Sequence, residues 1–411
     1  MSGLTSVGRR LVRIFGPDPR AVAQSAAALL VSIVATLIAG LTLASSEERL
    51  GQLPGLLLLV PAAIAQRGNV FGALGSRLGT AIHTGEFFLT RRTDTVFGQN
   101  VLASMALSTV AATWIAIIGW LLAQLFGVVG AMSLLDFVAV SVVGGVLASL
   151  LVLGITVALA AGSTRFGWDL DNVTAPLVTG TGDLVTLPAL IIGSFLVGPS
   201  SASEIVGIGS VLLAAAVLVL SLRAGLALLR RIVLESLPVL ALASTLSLIA
   251  GIVVERRLSA FLDEPALLIL IPAYFGMAGA LGGILSSRLG TKVHLGLIES
   301  TWVPQRQAWL DIRSVGVLAL PIFVLVGAAA HLGSIIIDVG SPGLVSMMLV
   351  AAVAGFGATL VVLAVAYYGT LAAVRFGLDP DTASIPLTNS VLDLVGAFTL
   401  VGAVVLLGLG G

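Results

Sequence analysis

The segment PAAIAQRGNVFGALGSRLGTAIHTG (residues 61–85) returns later in the chain as PAYFGMAGALGGILSSRLGTKVHLG (residues 272–296), at a shift of 211 positions. A second segment, RFGWDLDNVTAPLVTGTGDLV (165–185), returns as RFGLDPDTASIPLTNSVLDLV (375–395), at a shift of 210. Because both pairs keep nearly the same spacing, we interpret the chain as two copies of one unit.

The composition is that of an integral membrane protein, since 58% of the 411 residues are hydrophobic and only 10% are charged. Apolar stretches long enough to cross about 30 Å of hydrocarbon as helices recur along the chain. They leave little room for a soluble catalytic domain. We predict an all-α polytopic protein with eleven transmembrane helices, at about 21–45, 52–76, 98–126, 134–163, 174–198, 204–229, 232–254, 264–287, 311–333, 343–373 and 383–409.

These helices form two five-helix repeats joined by a linker. An odd-numbered unit fused directly to its copy would place that copy upside down. The extra linker crossing gives both repeats one orientation, so we predict a pseudo-two-fold axis along the membrane normal. The predicted parts are a cytoplasmic N-terminal segment, the first repeat, the linker transmembrane helix and the second repeat, at 1–20, 21–198, 199–230 and 231–411.

Basic residues indicate the orientation in the membrane. With the N-terminus inside, sixteen of the twenty Arg and Lys residues fall on the cytoplasmic side and three fall outside. We therefore expect a cytoplasmic N-terminus and an external C-terminus, and the arginine-rich basic composition favours a prokaryotic cytoplasmic membrane. Arg67 is the remaining basic residue, and its side chain either pairs with an aspartate such as Asp171 or snorkels to the inner headgroups, of which we favour the second.

Asp183 and Asp393 occupy equivalent places near the middle of the last helix of each repeat. An ionised carboxylate at that depth costs several kcal/mol unless it faces water, a cation or a partner. The alternative is that each is a structural carboxylate, protonated or hydrogen-bonded to Thr179, Thr181 or Asn389. Repetition about an axis favours a shared cation site, because two carboxylates with neutral oxygens suit Mg2+ and similar hard ions.

Other polar residues are candidates for the path of the ion. Asn69 offers an amide oxygen that the second repeat lacks. Acidic residues just before both last helices either favour the helix dipole or attract cations to the inner mouth, and both interpretations stay open. The candidate path residues are Asn69, Thr179, Asn389, Asp171, Asp381, Thr174 and Ser384.

The segments GNVFGALGSRLGT (68–80) and DNVTAPLVTGTGDLVTL (171–187) resemble the MgtE superfamily of magnesium channels and transporters, in particular the two-repeat branch of eukaryotic solute carriers. The resemblance implies a cation path between two five-helix units, with Asp183 and Asp393 as the main ligands. It implies Mg2+ as the transported ion and no cofactor. The chain lacks the cytoplasmic regulatory domains of bacterial MgtE, and its fused copies imitate that dimer, so we expect a monomer embedded in lipid, with no nucleic-acid partner.

Two alternatives concern the activity. GTGD at 180–183 fits the GxGD pattern of intramembrane aspartyl proteases, but those enzymes need a second Asp after Tyr, and Leu392 precedes Asp393. Within transport, conduction of Mg2+ down its gradient and exchange against Na+ or H+ are both compatible with the sequence, as are Mn2+, Co2+ and Ni2+ as further substrates.

Overall fold

The structure, a computed structural model, describes residues 19–166, 170–198, 201–294, 298–299, 301–375 and 385–409. Within these residues the chain is helical, with eleven long and two short helices and no strand. Nine of the long helices are long and apolar enough, over their described residues, to span a membrane. The helices are α1 (Pro19–Ala44), α2 (Glu47–Gln52), α3 (Leu56–His83), α4 (Val96–Leu125), α5 (Leu134–Phe166), α6 (Leu170–Ser194), α7 (Ala202–Arg223), α8 (Ala227–Glu255), α9 (Leu258–Asp263), α10 (Ala266–His294), α11 (Arg306–Ile336), α12 (Leu344–Arg375) and α13 (Ile385–Leu406).

The duplication is visible in the order of the helices. One long helix, one short helix and four long helices occur twice, as α1–α6 and α8–α13, with α7 between them. The prediction of an all-α protein with eleven long helices is confirmed, although the short helices α2 and α9 were not predicted. The second long helix of each copy also continues beyond its predicted end, to His83 and His294. Polar residues in these extensions pack within the bundle. For example, Arg77 Nε donates to Asn100 Oδ1 over 2.7 Å.

The first helix of each copy packs on the other copy. α1 lies against α6 of its own copy and α10 of the other, and α8 lies in the same way against α13 and α3. Gly40 touches the backbone of Ile269, and Gly251 touches the backbone of Leu58, so closely that a methyl group at either glycine would overlap a carbonyl oxygen. Both residues of one contact are shifted by 211 from those of the other. The contacts are therefore related by the pseudo-two-fold axis, and small residues make the close crossings, as in other membrane bundles.

A buried carboxylate strengthens one of these contacts. Glu255, at the end of α8, accepts hydrogen bonds from the backbone N–H groups of Gly55 and Leu58, over 2.7 and 3.1 Å, at the start of α3. The first N–H groups of a helix have no partner within the helix and carry partial positive charge. Glu255 therefore fixes the end of α3 to the helix that crosses from the other copy.

The linker helix α7 packs mainly on the first copy and also touches α8, the helix that follows it in the chain. It packs on α4 and α5, where Gly207 touches the backbone of Leu135, and where Leu218 and Leu222 adjoin the apolar cluster that Met105 also borders. In the part of the chain that the structure describes, no helix takes the equivalent place on α11 and α12. The two copies therefore have the same fold but different outer surfaces.

Candidate cation site

Asp183 and Asp393 lie in the middle of the membrane-spanning bundle. Asp183 follows Leu170 by thirteen residues and precedes Ser194 by eleven on α6, which places it about 20 and 17 Å from the helix ends. Both side chains are buried, with 0% of Asp183 and 9% of Asp393 exposed. Neither residue lies on the outer face of the bundle, so the lipid does not reach them directly.

The helices that carry the two carboxylates each touch the other copy. α6, which carries Asp183, touches α10, and α13, which carries Asp393, touches α3. Neither carboxylate forms an ion pair with a basic side chain among the described residues. Two buried carboxylates without a basic partner can be neutralised by a bound cation.

Asp183 has no hydrogen-bond partner at either carboxylate oxygen within the described structure. Thr36 of α1 and Gly276 of α10 lie beside it: a Cβ atom at Gly276 would lie 3.2 Å from Asp183 Oδ2 and 3.0 Å from the Thr36 methyl carbon. The Thr36 hydroxyl itself donates to the carbonyl of Ile33, over 3.0 Å. Burying an ionised group without a partner is costly, so the site favours a ligand that supplies positive charge.

Asp393 has a different environment. The hydroxyl of Ser247 on α8 donates to Asp393 Oδ2 over 2.7 Å. A shift of 211 places Ser247 at the position of Thr36, so the same site on the first helix of each copy faces an aspartate. Only in the second copy does the side chain at that position, Ser247, donate a hydrogen bond to the carboxylate. The two acids therefore occupy equivalent places in the two copies but have different environments.

Neutral oxygen atoms near this contact also lack partners. The hydroxyl of Ser32 is buried against Gly180, and within the described part of the chain the side-chain amide oxygens of Asn69 and Asn389 are buried without a hydrogen bond, as is the hydroxyl of Ser390. Asn69 also borders a narrow cavity that Pro386 of the other copy lines. Such oxygens are the kind that hard cations accept as ligands. Ser32 and Ser390 were not predicted, although Ser32 precedes Thr36 by one helical turn.

No larger cluster of ionisable ligands accompanies the pair. Among the described residues, no three His, Cys, Asp or Glu side chains come together. A cation between Asp183 and Asp393 would therefore complete its coordination with neutral oxygens and water.

Several predicted residues stay untested. Asp171, Thr174 and Thr179 belong to α6, but their side chains lie outside the described residues, and Asp381 and Ser384 lie outside them entirely. No hydrogen bond supports the structural-carboxylate alternative at two of its proposed partners. Thr181 donates to the carbonyl of Leu177, and the amide oxygen of Asn389 has no partner.

The prediction for Arg67 is wrong. Its side chain is 1% exposed, and its guanidinium donates to the hydroxyl of Ser108 over 2.8 Å instead of reaching the headgroups. The reason is the length of α3: Arg67 lies eleven residues after Leu56 and sixteen before His83, too deep to snorkel. Its Cβ packs against Gly182, beside Asp183, and the second copy has Ala278 in its place.

The duplicated bundle of membrane-spanning helices defines a polytopic membrane transport protein. The chain belongs to the MgtE family, whose family model, described as a divalent cation transporter, matches residues 60–193 and 271–403. One match falls in each copy. The predicted resemblance is thereby confirmed, and because the family consists of transporters, the chain is not a protease of the GxGD type.

The similar proteins are eukaryotic solute carriers, as the resemblance to the two-repeat branch predicts. The chain is 24% identical to solute carrier family 41 member 3 of Mus musculus, over 84% of this chain and 74% of the relative. It is 28% identical to solute carrier family 41 member 2 of Homo sapiens, over 84% of this chain but only 63% of the relative, so it spans less than two thirds of that protein. The crystal structure of the eukaryotic MATE transporter AtDTX14 aligns over 98% of this chain and 96% of the transporter chain, at 13% sequence identity. The TM-score of 0.33 is too low to support a conclusion from this similarity.

Proposed function

We propose that this chain transports Mg2+ across the membrane along a path between its two copies, with Asp183 and Asp393 as the principal ligands. One observation carries the proposal: two acids at equivalent positions of the two copies are buried in the bundle with no basic partner among the described residues. Two negative charges match one divalent cation, which neutralises them and removes the cost of burying them.

The chemistry of the ligands favours Mg2+. All candidate ligands are oxygen atoms, which suit Mg2+, Ca2+ and Mn2+, and no cysteine occurs in the chain to favour softer metals. Mg2+ keeps several of its waters and is usually held through one or two carboxylates. A pair of aspartates with scattered neutral oxygens fits a partly hydrated Mg2+ better than the six to eight protein ligands of a Ca2+ cage.

Further polar residues continue the proposed path on both sides of Asp183 and Asp393. Asn69 and Asn389 contribute buried amide oxygens without partners. Thr179, Asp171, Asp381, Thr174 and Ser384 would line the part of the path towards the predicted cytoplasmic side. We further propose that the N-terminus is cytoplasmic, that the C-terminus is external, that the membrane is the cytoplasmic membrane, and that one chain suffices, since its two copies provide both halves of the path.

The experiment is Mg2+ uptake into liposomes that contain the purified chain and an internal Mg2+-sensitive dye. Asp183→Asn and Asp393→Asn should each abolish uptake, while Asp94→Asn, which removes a carboxylate from an exposed loop, should leave it unchanged. Uptake by both pair variants at the wild-type rate would refute the assignment of the ligands.

The same liposomes separate conduction from exchange. A membrane potential, a Na+ gradient and a pH gradient are imposed one at a time. Conduction responds to the potential alone, whereas a coupled exchanger accumulates Mg2+ against its gradient when Na+ or H+ flows the other way.

A further inference from the structure

A groove lies on the outer surface of the second copy, near the start of α11. It is a shallow, open groove of about 470 Å3 between α11 and Leu363 of α12. Its wall on α11 combines basic, aromatic and apolar side chains, namely Arg306, Trp309, Leu310, Arg313 and Val317, all of them exposed. The groove is remote from the aspartate pair and plays no part in the proposed path.

The groove exists because the two copies differ at this surface. A shift of 211 places Met105 of the first copy at the position of Gly316, and Met105 adjoins an apolar cluster to which Leu218 and Leu222 of the linker helix α7 also contribute. In the second copy Gly316 has no side chain to fill this space, and no described helix lies over it. On the first copy, the outer face of α4 is packed against both α7 and α8, where the N–H of Leu229 donates to Gln99 Oε1 over 3.1 Å.

Arg306 and Arg313 give the groove its charge. They lie two turns apart, about 10 Å along the helix axis. Because helical side chains tilt towards the N-terminal end, the guanidinium of Arg313 extends back towards Arg306. Among the described residues neither arginine forms an ion pair. Two such cations can hold one phosphate group through charge-assisted hydrogen bonds.

The rest of the groove is apolar. Leu310 lies between the two arginines along α11 and Val317 lies beyond Arg313, and a Cβ atom at Gly316 would already lie 3.4 Å from Leu363 Cδ1, so Leu363 closes the floor. Trp309 lies near the helix end, where aromatic side chains mark the membrane–water interface. Two arginines with apolar side chains between and beyond them match an anionic phospholipid, with its phosphate at the arginines and one acyl chain along the floor.

We infer that the groove between α11 and α12 binds one anionic phospholipid. A second copy of the chain is the less suitable occupant. In a symmetric dimer through this face the same patch meets itself, which would set Arg306 and Arg313 of one chain against the arginines of the other. The lipid instead neutralises both arginines and supplies apolar contact, as α7 and α8 do on the first copy.

Native mass spectrometry of the full chain tests the inference. The protein, purified in a non-ionic detergent, is incubated with equal amounts of dioleoylphosphatidylglycerol and dioleoylphosphatidylcholine. One phosphatidylglycerol should stay bound to each wild-type chain through activation in the instrument. Arg306→Gln combined with Arg313→Gln should lower its retention by about tenfold or more, since each arginine near an anionic lipid contributes on the order of 1 kcal/mol.

Two further variants keep the test decisive. Arg91→Gln combined with Arg230→Gln removes the same charge from exposed positions outside the groove and should retain the lipid like the wild type. Gly316→Leu keeps both arginines but fills the floor, so it should also lose the lipid. Equal retention of the two lipids by the wild type, or unchanged retention in the groove variants, would overturn the inference, as would a dimer that the groove variants dissociate.

Discussion

Ser247 donates a hydrogen bond to Asp393, whereas Thr36, at the same position in the first copy, donates to the carbonyl of Ile33 and leaves Asp183 without a partner among the described residues. One carboxylate of the pair is therefore held in place by the protein, and the other is free to approach an ion. We expect the two aspartates to contribute unequally to binding, with Ser247 as the positioning residue for Asp393.

Ser247→Ala should weaken transport without abolishing it. A hydrogen bond to a charged group contributes about 1.5–3 kcal/mol, so losing it should raise the KM for Mg2+ by roughly tenfold, while kcat changes less. Initial rates of uptake into liposomes measure both constants. Ser244→Ala, which truncates another buried serine of α8, serves as the control and should leave KM unchanged. A KM for Ser247→Ala equal to that of the control would exclude the positioning role.

We expect Arg67 to influence the binding of a cation at Asp183. Its buried guanidinium adds a fixed positive charge on the helix that packs against Gly182, and a positive charge there opposes the binding of a divalent ion. At an effective dielectric constant of about 20, two unit charges about 10 Å apart interact by on the order of 2 kcal/mol, and a divalent ion interacts more strongly.

Arg67→Met, which keeps the length of the side chain but removes the charge, should therefore lower the KM for Mg2+ by at least about tenfold and slow the release of the ion, so that kcat falls. Arg67→Lys keeps the charge and should retain a KM near that of the wild type. The same uptake assay measures both variants. Were Arg67→Met to raise KM instead, the guanidinium would be acting as a structural support and not as a counter-charge.

The repeats and the two aspartates could be predicted because the same motifs recur in the sequence at nearly constant spacing. The position of Arg67 could not, since it depends on how far α3 continues past the apolar stretch, and polar contacts such as that between Arg77 and Asn100 decide this. The sequence also did not indicate that the first helix of each copy packs on the other copy. Gly40 and Gly251 align in sequence, but only the folded chain shows that each meets the backbone of the other copy.

Those two glycines should be sensitive to the smallest substitution. Gly40→Ala and Gly251→Ala each place a methyl group against a carbonyl oxygen of the other copy, so the helices must separate. Overpacking of this kind costs about 1–3 kcal/mol, which exceeds the gain of about 0.5–1 kcal/mol from replacing glycine in a helix. Thermal unfolding in detergent should show a lower Tm for both variants.

Gly72→Ala is the matched control for this prediction, because nothing lies within 4 Å of a Cβ atom at that position of α3. It gains helix propensity without a clash and should keep or raise the Tm. A Tm for Gly40→Ala that matches that of Gly72→Ala would show that the two copies do not cross as closely as the fold requires.

Glu255 should stabilise the start of α3 from the other copy. Glu255→Ala leaves the N–H groups of Gly55 and Leu58 buried without an acceptor, at a cost of about 1–3 kcal/mol, and Glu255→Gln should cost less because its amide oxygen still accepts. Hydrogen exchange of the Gly55 and Leu58 amides measures the effect locally, with faster exchange expected in the order wild type, Gln, Ala. Asp263→Ala, which removes an exposed acid from the neighbouring α9, should leave these amides protected. If the two amides exchange at the wild-type rate in Glu255→Ala, water already solvates them and Glu255 does not hold the copies together.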